Sequence, residues 1–109
     1  MGAEGASAIG KLIEVSAVMT ELDLSFNKIG NQGAVAIAEA LKVNAVMTEL
    51  WLGNNNIGDE GAKALASALE VNAELKLEAL YVPSAIEKNP QLVAACREKG
   101  VNLNGSIPS

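Results

Sequence analysis

Two short stretches of the chain alternate apolar and polar side chains with a period of two. Residues 22–24 read Leu-Asp-Leu, and 28 positions later residues 50–52 read Leu-Trp-Leu. Successive side chains of a β-strand point to opposite faces, so this period predicts two short strands, each with one buried face.

A helical period follows each predicted strand. Apolar residues at the spacing i, i+3, i+4, i+7, which marks one face of an α-helix, occur at Ala34, Ile37, Ala38 and Leu41. The same spacing recurs over residues 62–69. Half of these apolar positions are alanine, so we expect the helices to pack closely against their neighbours. Each unit is predicted to consist of a strand, a loop, a helix and a return loop.

Self-comparison shows that this pattern is a repeat. Residues 19–46 and 47–74 align over 28 positions without a gap, and 17 of those positions are identical. A partial copy, predicted as a helix, precedes them at residues 5–18, and a divergent C-terminal capping copy follows at 75–104. We therefore expect a single domain over residues 1–109, because a chain of this length has room for one hydrophobic core.

Both full copies carry the pattern Leu-x-x-Leu-x-Leu-x-x-Asn-x-Leu, with Met in the first place and Ile in the last, at residues 19–29 and 47–57. This pattern resembles the leucine-rich-repeat family. The repeat length, the Ile-Gly-x-x-Gly-Ala turn and the Ala-rich helix resemble its ribonuclease-inhibitor-like subclass, which includes the repeat domains of NOD-like receptors. The resemblance implies an α/β leucine-rich-repeat solenoid with a short curved parallel sheet and outer helices, in total about three strands and four helices.

Asn27 and Asn55 occupy the asparagine place of that pattern. The resemblance implies that they form an internal ladder, whose side-chain amides satisfy backbone groups where each strand leaves the sheet. Buried backbone N–H and C=O groups need such partners. We interpret both residues as structural.

The residues between the inward-facing leucines are predicted to face outward on the concave side of the sheet. In the repeat register these candidates for partner binding are Glu21, Asp23, Glu49, Trp51 and Tyr81. Exposed aromatic side chains are over-represented in binding hot spots. Two alternatives stay open: Trp51 covers an otherwise thin sheet, or a two-residue insertion near residues 74–76 puts Tyr81 out of register. The acidic residues among them either bind a cationic group of the partner or are simply exposed to solvent.

The net charge and the His and Cys content exclude several classes of function. The net charge of −5 argues against nucleic acid as a partner, since phosphate binding needs clustered Lys and Arg. The chain has no His, and its one cysteine, Cys96, has neither a His nor another Cys to activate it, so we predict no enzyme activity, no metal and no cofactor. No apolar run approaches the roughly 18 residues of a membrane span. A single cysteine favours a reducing compartment, and the predicted location is cytoplasmic.

The C-terminal segment departs from the repeat. Ala85 stands where the ladder asparagine is expected, so the ladder is predicted to stop there, and Pro83 fits a terminal edge strand because it cannot donate a ladder hydrogen bond. Asn89 and Pro90 predict the start of a capping helix that ends near Gly100.

The N-terminal segment is predicted to begin in mid-repeat with a helix over residues 5–15. The strand at residues 20–25 would then be an open edge. Either the chain is a fragment of a longer solenoid, or this edge serves self-association, which would give a homodimer.

These features predict a non-enzymatic protein–protein interaction or scaffolding module that binds a protein partner on the concave strand face. The alternative is a structural section of a larger regulator, of the NOD-like-receptor or GTPase-activating type, with no independent activity. Further 28-residue repeats before Met1 would favour the alternative.

Overall fold

In a computed structural model, residues 20–25 and 28–105 are described. Strands and helices alternate through this part of the chain: β1 (Glu21–Asp23), α1 (Gly30–Leu41), β2 (Glu49–Trp51), α2 (Asp59–Val71), β3 (Ala79–Tyr81), α3 (Pro90–Lys99) and β4 (Asn102–Leu103). The strands form one parallel sheet in the order β1-β2-β3-β4. Among the helices of residues 20–25 and 28–105, none is long and apolar enough to cross a membrane.

The strands pair in the register that the repeat predicts. Leu22 pairs with Leu50, and Leu50 pairs with Leu80. Trp51 pairs with Tyr81, so the two-residue insertion is absorbed in the loop before β3 and does not shift the strand. Each central leucine therefore lies beside its counterpart in the next repeat.

The hydrophobic core lies between the sheet and the helices and is aliphatic. Leu50 and Leu80 from the sheet are fully buried, as are Leu41 and Leu69 from the ends of the helical stripes. The alanines of those stripes are buried as well, at Ala34, Ala38, Ala62 and Ala66. Small side chains at these positions allow α1 and α2 to pack against each other along their length, as the sequence predicts.

The α/β solenoid-like fold is confirmed, and the sheet has one strand more than the three expected. Residues 102–103, expected only as a short segment after the last helix, form β4 on the outer side of β3. The backbone N–H of Asn102 donates to the carbonyl of Glu78 at 2.8 Å, and that of Asn104 donates to Leu80 at 2.9 Å. The prediction that Pro83 marks a terminal edge strand is therefore wrong, because β3 ends at Tyr81 and pairs on both sides.

The last helix begins where the sequence predicts. The Asn89 side chain accepts a hydrogen bond from the Leu92 N–H at 3.1 Å, and Pro90 is the first helical residue. Gly100 ends the helix with a φ of 72°, a left-handed conformation that glycine adopts without a steric penalty.

Some sequence predictions lie outside the described residues. These are the N-terminal helix over residues 5–15, the partial repeat of residues 5–18 and the ladder role of Asn27. Self-association through the edge of β1 also stays a prediction.

Candidate functional site

Asn55 is completely buried and joins two neighbouring repeats. Its Nδ2 lies within hydrogen-bond distance of three carbonyl oxygens, those of Leu24 (2.8 Å), Leu52 (3.0 Å) and Gly53 (3.2 Å). Its Oδ1 accepts from the N–H of Ile29 at 3.4 Å. These partners are backbone groups at the bend after each strand, which are the groups that an internal ladder residue has to satisfy.

A second pair of buried asparagines, for which no role is predicted from the sequence, lies at the return loops. Asn72 donates through Nδ2 to the carbonyls of Leu41 (2.6 Å) and Asn44 (2.8 Å). Asn44 in turn accepts from the N–H of Met47 at 2.7 Å through Oδ1. The signal was present in the sequence, because both residues stand in a Val-Asn-Ala triplet with the repeat spacing of 28.

Trp51 and Tyr81 form a stacked pair on the strand face, defined here as the side chains of β1–β4 that point away from the core. Their ring centroids are 3.8 Å apart and their planes differ by 17°. The Trp51 side chain is 37% exposed. Its Nε1 donates to Glu49 Oε1 at 3.0 Å, which fixes the orientation of the indole. Trp51 therefore covers the sheet and also presents apolar surface to solvent.

The acidic side chains of the strand face lie next to this pair. Glu21 is in register with Glu49, and Asp23 is in register with Trp51. The backbone N–H of Ser25 donates to Asp23 Oδ1 at 2.9 Å, and this bond, helped by the Ser25 hydroxyl, holds the pKa of Asp23 below its ordinary value. Asp23 is therefore ionised at neutral pH.

No cation neutralises these acids within the described ranges. The one ion pair found there joins Lys42 to Glu39 at 2.9 Å, at the end of α1 and away from the strand face. Glu21, Asp23 and Glu49 thus give the strand face a negative charge that is open to solvent.

An open groove of about 590 Å³ runs across the ends of the strands. Its lining includes Asp23, Ser25, Trp51, Gly53, Tyr81 and Asn104. Asn104 directly follows β4 and lies in the groove because β4 pairs with β3. No fourth strand was predicted from the sequence, so Asn104 was not among the predicted site residues. The Asn104 side chain accepts from the N–H of Val82 at 2.7 Å through Oδ1 and donates to the Val82 carbonyl at 3.1 Å through Nδ2. An asparagine side chain therefore still satisfies backbone groups after β3, although the ladder was predicted to stop at Ala85.

Comparison with known proteins agrees with this geometry. The family described as Leucine Rich repeat matches residues 15–38 and 43–66. The fold is a leucine-rich-repeat solenoid. A solved structure titled "Leiomodin-1 Actin-Binding Site 2 (ABS2)" is similar with a TM-score of 0.79 and 22% sequence identity over 94% of this chain. The chain spans 62% of the length of that structure. The comparison with curated proteins found no match.

The other candidates for a chemical site in the described part of the chain are its metal-ligating side chains and Cys96. Residues 20–25 and 28–105 contain no cluster of three His, Cys, Asp or Glu side chains that could hold a metal ion. Cys96 is 2% exposed, and burial raises the pKa of its thiol to about 11. A thiol in that environment is protonated at neutral pH and packs as a small apolar group.

Proposed function

We propose that the chain is a protein-interaction module and that its strand face holds the partner. The observation that carries this proposal is the exposed Trp51–Tyr81 stack beside the open groove. A stacked pair is rigid, so its apolar surface contacts a partner without a large loss of side-chain entropy. Trp and Tyr are also the residue types that most often supply the binding energy of protein interfaces.

The shape and chemistry of the groove favour a protein over a small molecule. Small-molecule sites are enclosed and bury most of their ligand. This groove is open and is built from the ends of four strands on a rigid sheet. A side chain from a partner surface fits such a groove while its backbone remains outside.

Actin is the first partner to assay. The structural neighbour is titled an actin-binding site, and its fold extends over 94% of this chain. At 22% identity that likeness supports the fold, and the choice of actin rests on the neighbour's title alone.

We also propose a cytoplasmic location and the ribonuclease-inhibitor-like subclass. A single cysteine cannot form an intrachain disulfide, which is typical of proteins from reducing compartments. The 28-residue repeat and its Ala-rich helix support the subclass.

Trp51→Ala is expected to weaken partner binding at least tenfold, which corresponds to about 1.4 kcal/mol, because it removes the apolar centre of the strand face. The measurement is the dissociation constant, first for filamentous actin by co-sedimentation. Should actin not bind, the probe becomes a partner captured from the source cells and then purified.

The matched control is Val71→Ala. Val71 is also an exposed apolar residue, at 59%, but it lies at the end of α2, away from the strand face. We expect unchanged affinity for this variant and cooperative thermal unfolding for both. If Trp51→Ala folds and binds as tightly as the unmodified chain, the partner does not use the strand face.

A further inference from the structure

The stack between Trp51 and Tyr81 leaves one face of the indole free. The ring centroids are 3.8 Å apart and the planes are nearly parallel, so the stacking direction runs from β2 to β3. Neighbouring strands lie about 4.8 Å apart. The second face of Trp51 therefore points the other way, toward β1, where its register partner is Asp23.

Negative charge surrounds this free face. Asp23 is exposed beside it, and its hydrogen bonds to Ser25 favour the ionised form. Glu49 accepts the indole N–H at 3.0 Å, which places a carboxylate at the ring edge and makes the ring face more attractive to a cation. The strand residues of β1 to β4 include three acids and no Lys or Arg.

Space for a side chain adjoins the same face. Gly53, which follows Trp51 by two residues, has no side chain, and a Cβ placed there would meet only the Ser25 hydroxyl oxygen, at 3.7 Å. The groove of about 590 Å³ passes over this position. A partner side chain that enters the groove can therefore pass over Gly53 and reach Trp51 and Asp23, which also line the groove.

We propose that the partner inserts an arginine side chain here, with its guanidinium stacked on the free face of Trp51 and hydrogen-bonded to the Asp23 carboxylate. This inference rests on the proposed function, since it names the group that the strand face recognises. A guanidinium is planar, stacks on aromatic rings and donates two parallel hydrogen bonds to one carboxylate. A lysine ammonium is a compact, strongly hydrated charge and provides neither feature.

Blocked tripeptides test the inference without a known partner. The probe is acetyl-Gly-Arg-Gly-amide, and its matched controls carry lysine or citrulline in the central place. Trp51 is the only tryptophan, so its indole N–H signal in NMR spectra reports directly on the site. We expect saturable shifts with the arginine peptide, roughly fivefold weaker binding of the lysine peptide and no shift with citrulline, which is planar but neutral.

Asp23→Asn is the decisive variant, because asparagine keeps a side-chain oxygen that accepts from Ser25 and removes the charge together with one of the two acceptor oxygens. We expect it to weaken binding of the arginine peptide about fivefold. Glu70→Gln, the same change of charge at an exposed position of α2, is expected to leave the affinity unchanged.

Equal binding of the three peptides, or full binding by Asp23→Asn, overturns the arginine inference. Partner binding that needs Trp51 would in that case still support the proposed function. Conversely, a partner that binds Trp51→Ala as tightly as the unmodified chain refutes the proposed function, whatever the peptides do.

Discussion

Asn55→Ala is expected to lower the free energy of unfolding by about 3 kcal/mol. The amide of Asn55 serves backbone groups of two repeats, and no water reaches the position because the side chain is fully buried. Alanine removes the donor to the carbonyls of Leu24 and Leu52 and the acceptor for the N–H of Ile29. A buried polar group left without a partner costs about 1–3 kcal/mol.

Urea denaturation provides the measurement, with stability read from the midpoint at an unchanged m-value. The control is Gln32→Ala, which deletes a side-chain amide at an exposed position of α1 and is expected to change stability by no more than about 0.5 kcal/mol. If the two variants are equally stable, Asn55 is not the residue that joins the repeats.

Gly61→Ala is expected to destabilise the fold by about 2 kcal/mol, although alanine is the better helix former by about 1 kcal/mol. A Cβ at Gly61 would overlap with Cγ2 of the buried Ile57 and would lie 3.0 Å from both the Ala34 Cβ and the Asn31 Oδ1. The Ile57 methyl cannot swing aside, because a β-branched side chain is stiff at χ1.

The same substitution disturbs the start of α2. The Asn31 side chain, which belongs to the preceding repeat, accepts from the N–H groups of Gly58 (2.8 Å) and Gly61 (3.0 Å) and thereby satisfies two backbone donors at the start of that helix. Urea denaturation measures the loss. Gly53→Ala is the control, since the added methyl there makes only ordinary contact. If Gly53→Ala loses as much stability as Gly61→Ala, the close fit at Gly61 is not the cause of the loss.

Much of the fold was predictable because the strand pattern and the helix pattern each occur in two aligned copies of the repeat. The period of two around Leu22 and Leu50 and the helical stripes over residues 34–41 and 62–69 correspond to the strands and helices of the structure. A gap-free alignment of two copies also fixes their register, because equivalent residues of stacked repeats lie side by side.

The fourth strand was not predictable in the same way. A strand of two residues is too short to show a period of two. Leu103 pairs with Leu80 at a separation of 23 residues, which differs from the repeat length. Alignment with the repeat therefore gives no signal for β4, and Asn104 could not be assigned to the groove.

At the candidate site, the neighbouring residues were predictable from the sequence, but the geometry of their side chains was not. The register predicted that Trp51 and Tyr81 lie on adjacent strands, which the structure has. The stacking of the rings and the hydrogen bond from Trp51 to Glu49 depend on side-chain rotamers, which the strand pattern does not determine.

The central claim, that the strand face holds the partner, is tested most directly by mapping amide chemical shifts of the isotope-labelled chain with and without bound partner. We predict that the largest changes occur at Asp23, Tyr81 and Asn104 and at the indole N–H of Trp51. Changes concentrated around Val43 at the end of α1, with the Trp51 indole signal unmoved, would contradict the claim.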